Sequence, residues 1–317
     1  MEITCKGKIL KGVGGLYSVR VLSSDSPYMG QTVRCRARGV FRHNGLTPLA
    51  GDFVLISCDE RGEDTSEDGK FVIDEIVDRR NSLIRPPLAN LDYLFVTMAA
   101  ASPAPILPTV DKLICIAEHN KIEPVIVITK KELNEERARE LKEIYSACGF
   151  DCFALSAIEN AEIEPIDCFI REKLSGKTAA FAGASGIGKS TLLNRLFPSL
   201  SLTTSEISRK IERGRHTTRE VDLFPLSSNP DCGYIADTPG FSMLDFKRFD
   251  FFEKEDLVDT MREFAPYIGQ CRYTKCSHTK EEGCAVLRAV KDGIIPPSRH
   301  ESYVELYDIL KTRKKWD

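Results

Sequence analysis

Between residues 1 and about 81 the apolar positions come in short runs, at 9–10, 17–22, 31–41, 52–57 and 70–77, split by glycines and by an acidic stretch at 59–68. Runs this short predict strands rather than helices, and five of them in one segment predict a small β-barrel of the OB type. Within the third run Arg34, Arg36 and Arg38 share one parity, so they fall on one face of the predicted strand. That face reads either as a contact for a nucleic-acid backbone or as an ordinary solvated surface. Arg85-Pro86-Pro87 then predicts a hinge, because consecutive prolines neither continue a ladder nor enter a helix interior.

Beyond the prolines the period changes. Strands are predicted at 92–99, 124–128, 152–155 and 178–182, alternating with helices at 110–119, 135–147 and 166–174. Strand alternating with helix predicts an α/β domain built on a parallel sheet. From about residue 246 the chain is aromatic, charged and largely helical in pattern, with cysteines clustered inside it. The predicted organisation is a barrel at 1–82, an α/β domain at 88–245 and a C-terminal domain at 246–317. The chain has 317 residues, 42% hydrophobic and 29% charged, which excludes wholesale disorder and suits two or three domains.

The longest near-continuous apolar stretch, 94–107, contains Thr97, Ser102, Pro103 and Pro105 and falls short of the roughly 20 residues of a bilayer span. No secretory signal is visible in residues 1–10, so a cytoplasmic protein that does not contact membranes is expected. The eleven cysteines are scattered over the whole chain, which favours free thiols over a disulfide framework. Formal net charge is −3, yet residues 1–50 carry eight basic side chains against Glu2 and Asp25, leaving a basic front end.

The sharpest chemical signal is Gly183-Ala184-Ser185-Gly186-Ile187-Gly188-Lys189-Ser190, continued by Thr191, between an apolar strand and a helical segment. This is the phosphate-loop pattern. Its glycines let backbone N–H groups wrap phosphates, Lys189 brings a charge to the terminal phosphates, Ser190 reaches Mg²⁺, and the helix start adds its dipole. Downstream, Asp237-Thr238-Pro239-Gly240 ends an apolar strand 48 residues after Lys189. Taken alone it is an ordinary turn; after a phosphate loop it places Asp237 toward Mg²⁺ and the Gly240 N–H toward a γ-phosphate. Between the two lies the basic segment 205–221 with Gly214-Arg215-His216-Thr217-Thr218, where Thr218, or alternatively Thr217, supplies a hydroxyl to Mg²⁺.

GTPases read guanine with Asn-Lys-x-Asp at a strand end. Here the strand at 124–128 ends in Thr129-Lys130-Lys131-Glu132, and the next ends in Leu155-Ser156-Ala157. Both would be base-side elements, but they precede the phosphate loop, so the order is that of a circularly permuted GTPase. Thr129 and Glu132 stand where Asn and Asp are usual. The bracing amide is lost and the carboxylate sits one methylene further out, so weaker guanine affinity or selectivity is expected.

Cys271, Cys276, His278 and Cys284 form the pattern C-x4-C-x-H-x5-C. Three thiolates and one imidazole make a closed tetrahedral set, the signature of structural Zn²⁺. The other cysteines read as small buried apolar residues.

With these motifs in this order, the chain resembles the circularly permuted, small-ribosomal-subunit-dependent GTPases, the RsgA or YjeQ family, over nearly its whole length. The resemblance implies an OB-fold barrel, a permuted GTPase domain and a mainly helical zinc-binding domain. It also implies GTP as substrate with Mg²⁺, and a partner in the small ribosomal subunit and its rRNA. GTP hydrolysis would be coupled to late maturation of that subunit, by a protein expected to be monomeric. Phe241 occupies the position where many GTPases carry a water-orienting glutamine, and the resemblance supports His216 in that role. Two other classes compete: an RNA-binding assembly module that uses nucleotide only structurally, and an ATP-dependent kinase.

Overall fold

The computed structural model describes residues 2–39, 41, 45–59, 70–84, 86–159, 162–198, 221–229, 232–237 and 253–312. By its internal contacts the chain divides into two compact units. One comprises Met1–Tyr93, Asp167–Phe181 and Phe197–Phe241, the other Leu94–Ile166, Ala182–Leu196 and Ser242–Asp317.

The first unit opens with the expected barrel, closed and five-stranded, in the order β1-β2-β3-β5-β4. Its strands are β1 (Glu2–Val13), β2 (Leu16–Val21), β3 (Thr32–Ala37), β4 (Phe53–Asp59) and β5 (Phe71–Ile76). Cys5, Ile9, Val19, Val33, Cys35, Val54, Ile56 and Ile73 fill its interior. Strand β1 runs well beyond the two apolar residues that announce it, because it pairs with β2 along one edge and with β4 along the other. In β3 the alternation is strict: Val33 and Cys35 point inward, Arg34 and Arg36 outward. Arg38, just past the strand, is exposed and pairs with Asp74 at 2.6 Å.

The predicted hinge is the turn region of a short hairpin, β6 (Ser82–Leu83) with β7 (Leu88–Ala89), tied to the barrel by a bridge between Ala50 and Leu88. The same unit holds β11 (Thr178–Ala182), parallel to β13 (Tyr234–Asp237), with β12 (Asp222–Pro225) antiparallel to β13.

In the second unit β8 (Tyr93–Ala99) is buried throughout, and β9 (Glu123–Thr129) lies parallel to β10 (Asp151–Ala154). Helix α1 (Leu107–His119) starts earlier than the pattern predicts, since Pro108 sits in its first turn, where a missing N–H costs nothing. Helix α2 (Glu135–Ala147) is capped by Asn134, whose side-chain oxygen accepts from Arg137 N at 2.9 Å. Helices α3 (Glu164–Lys173) and α4 (Lys189–Leu196) follow in the chain.

The C-terminal region is two 3-10 stretches, Val258–Thr260 and Arg262–Tyr267, then α5 (Ala285–Lys291) and α6 (Pro297–Thr312). Helix α6 is fixed by Arg299, 1% exposed, which pairs with Asp111 of α1 and with Glu263 at 2.7 Å. All eleven cysteines are free. Two of them depart from the expected burial. Cys152 is half-buried on the edge strand β10, and Cys168 is exposed on the outer side of α3. No helix of the described residues is long and apolar enough to cross a membrane.

Candidate functional site

Buried strand β11 delivers the chain into the glycine loop, and α4 begins at Lys189, as the phosphate-loop pattern requires. Gly183 has φ 146°, and a Cβ there would sit 2.2 Å from the Thr97 carbonyl oxygen, so only glycine lets the loop leave the strand this close to β8. Ile187 is buried and pins the loop, while Ala184, Ser185 and Gly186 are exposed. Gly188 and Ser190 are half-buried and Thr191 is exposed.

The Lys189 ammonium donates to the carbonyls of Gly183 at 2.6 Å and Ala184 at 2.7 Å. It thus rests on its own loop, in reach of acceptors that phosphate oxygens would replace. Burial lowers its pKa to about 8.

Two of the residues predicted to lie on the base side, Thr129 and Lys130, come to this loop. Thr129, buried at the end of β9, places its hydroxyl between the carbonyl of Met98, at 3.1 Å, and that of Ile187 in the phosphate loop. Lys130, in the left-handed region with φ 55°, donates to the Gly186 carbonyl at 2.7 Å and to that of Ser102. Glu132 lies in a 3-10 turn, Lys131–Leu133, and its Oε2 is buried with no hydrogen-bond partner among the described residues. A buried carboxylate oxygen without a donor fits a ligand that brings donors, as a guanine edge does.

Lys131 N donates to Leu155 O at 3.2 Å, which brings the end of β10 alongside. There Ser156 is buried, its hydroxyl accepting from Glu159 N, and Ala157 is half-buried.

Ser102 and Met98 contribute through carbonyls, which leave no side-chain signature in a sequence. His216, Thr217, Thr218 and Gly240 lie outside the described residues, as does the side chain of Asp237, whose backbone ends β13.

The cysteine and histidine side chains do converge. The ligand atoms of Cys271, Cys276, His278 and Cys284 all lie within 4.8 Å of one another. His278 Nδ1 is 3.5 Å from the sulfurs of Cys271 and Cys284, and those sulfurs are 3.9 Å apart. A tetrahedron with Zn–S near 2.3 Å and Zn–N near 2.0 Å has S–N and S–S edges of about 3.5 and 3.8 Å, so this set fits Zn²⁺. Burial lowers the His278 pKa, favouring the neutral, ligating imidazole.

Glu281, which the motif does not flag, organises the turn between ligands. Its carboxylate accepts from the backbone N–H groups of Ser277 at 2.8 Å and of Thr279 and Lys280, each at 3.1 Å, and from the Ser277 hydroxyl. The turn is linked to α6 as well, where Tyr303 OH donates to Ser277 O at 2.9 Å and a His300 ring nitrogen lies 2.8 Å from His278 O.

Known proteins resemble this chain over nearly its whole length. A family model described as RsgA GTPase matches residues 76–247, and one described as RsgA N-terminal domain matches residues 6–65. The small ribosomal subunit biogenesis GTPase RsgA of Alkaliphilus metalliredigens is 38% identical over 313 residues, covering 98% of this chain and 99% of that protein. The protein of the same name from Ruminiclostridium cellulolyticum is 37% identical over 305 residues, covering 96% and 93%. Among solved structures, YjeQ from Thermotoga maritima superposes with a TM-score of 0.78 at 31% identity, over 98% of this chain and all of that one. YloQ, described as a circularly permuted GTPase, gives 0.76 at 34%, over 98% and 96%. With the barrel in front, the cluster of three cysteines and one histidine behind and relatives alike over nearly their full length, the chain belongs to the RsgA family of circularly permuted GTPases.

Proposed function

We propose that this GTPase of small-subunit biogenesis binds the maturing small ribosomal subunit in its GTP form and leaves after hydrolysis. The observation that carries the guanine-nucleotide part is the docking of Thr129 and Lys130 on the phosphate loop, with one oxygen of the Glu132 carboxylate, Oε2, buried and without a hydrogen-bond partner among the described residues. In this reading the backbone from Gly183 to Thr191 cradles the phosphates and Lys189 shifts from its loop carbonyls to the β- and γ-phosphates. Ser190, Thr218 and Asp237 hold Mg²⁺, which when bound neutralises phosphate charge. Gly240 donates to the γ-phosphate, and Glu132, Ser156 and Ala157 line the base. His216 orients the attacking water, a task the Phe241 ring cannot perform.

Around this domain, 88–245, the barrel at 1–82 meets rRNA through the outward face of Arg34 and Arg36, and the 246–317 domain is held by Zn²⁺ on its three cysteines and one histidine. The protein acts as a cytoplasmic monomer. The test is subunit binding with a non-hydrolysable GTP analogue and with GDP. Tighter binding with the analogue is expected; equal binding contradicts the coupling. A His216→Ala variant with unchanged subunit-stimulated turnover would remove the histidine from the mechanism.

A further inference from the structure

The hairpin of β12 and β13 joins the two segments read as switches, 205–221 and Asp237 to Gly240, with pairing from Asp222 opposite Asp237 to Pro225 opposite Tyr234. Three cations of the barrel hold it. Near its base, Lys11 of β1 meets Asp222, Nζ lying 2.8 Å from Oδ1 and donating to Oδ2 at 2.9 Å. Along its middle, the Lys8 ammonium sits 4.6 Å from the Tyr234 ring centroid and 4.6 Å from that of Phe53. Lys8 also donates to Thr178 Oγ1 of the neighbouring β11 at 2.6 Å. At its tip, Arg20 of β2 donates to the carbonyls of Ser228 at 2.6 Å and Asn229 at 3.2 Å.

Lys8 and Arg20 are almost wholly buried, at 1% and 5% exposure. Simple adhesion between barrel and hairpin needs apolar side chains only, since a buried ammonium carries a desolvation penalty. That penalty is visible in Lys8, where burial lowers the pKa to about 8. Guanidinium on two carbonyls, ammonium over a ring and a carboxylate pair fix position and direction, which apolar packing does loosely. Consistently, the barrel and residues 197–241 fall in one compact unit.

We propose that Lys8, Lys11 and Arg20 are positioning residues for GTP hydrolysis, making the β12–β13 hairpin follow the barrel so that a contact made by the barrel sets the placement of Asp237 at the end of β13. The inference rests on the GTPase reading above.

The test measures GTP hydrolysis with and without purified small subunits for the wild type, Arg20→Met, Lys11→Asp, Asp222→Lys and the swapped pair K11D/D222K, with GDP affinity and melting temperature alongside. Arg20→Met and Lys11→Asp are expected to lower subunit-stimulated kcat about tenfold while KM and GDP affinity change less than about twofold. The swapped pair recovers at least about half of the wild-type rate, which loss of folding alone would not permit. Unchanged stimulated kcat in both single variants, or no recovery in the swapped pair, overturns the proposal. A wild type that subunits do not stimulate contradicts instead the GTPase reading on which it rests.

Discussion

At position 129, where asparagine is usual in GTPases, a threonine braces its loop with one hydroxyl. It lies between the Met98 and Ile187 carbonyls and so ties the base loop to the phosphate loop. Thr129→Val keeps the shape and removes the hydroxyl, leaving buried carbonyls unpaired at a cost of about 1–3 kcal/mol; GDP affinity measured by fluorescence should fall about tenfold. Lys189 gives a second expectation. Its pKa is lowered by burial to about 8, and phosphate binds the protonated form. The sign follows: below about pH 8 the ammonium is present and affinity is flat, and above it binding must take up a proton. GDP affinity then weakens by up to about tenfold per pH unit. The sequence exposed the absence of asparagine at 129, but the reach of the hydroxyl depends on the phosphate loop bringing Ile187 to the end of β9. Lys8 was equally hidden. Alternation in β1 assigns it to the outer face, and nothing in a local pattern says that Thr178 and Tyr234 cover that face.

Among elements, α6 is held at one end of a chain of contacts that begins at the turn carrying the cluster of three cysteines and one histidine. Ser277 and His278 meet Tyr303 and His300, and next to His300 the buried Arg299 reaches Asp111 and Glu263. Arg299→Leu leaves two carboxylates buried without their cation and should cost about 3–5 kcal/mol in denaturant unfolding. Removal of Zn²⁺ by chelation, or Cys276→Ser, should lower the melting temperature by about 5 °C or more, because the turn that carries Ser277 and His278 loses its metal-linked ends. Metal analysis of the purified chain should give about one zinc per molecule. The ligand spacing was readable from four residues within a short segment. Arg299 was not, since its partner Asp111 lies 188 residues away and a lone arginine in a helix reads as surface.

For the molecule as a whole, the order of motifs carries most of the information. The phosphate loop between strand and helix is legible because it needs fixed residue types at fixed spacings, whatever the rest of the chain does. The barrel was legible from run length and strand parity, and the outward row of Arg34 and Arg36 follows directly from that parity. Reversing both charges, Arg34→Glu with Arg36→Glu, should weaken subunit binding and flatten its dependence on salt by about two counterions, while leaving GDP affinity unchanged. Subunit-coupled, guanine-specific hydrolysis is the property on which the proposed function stands. The direct measurement is phosphate release from GTP and from ATP, each with and without purified small ribosomal subunits, at fixed salt and Mg²⁺. Stimulation by subunits confined to GTP is expected; equal turnover of the two nucleotides, or no response to subunits, would contradict the proposed function.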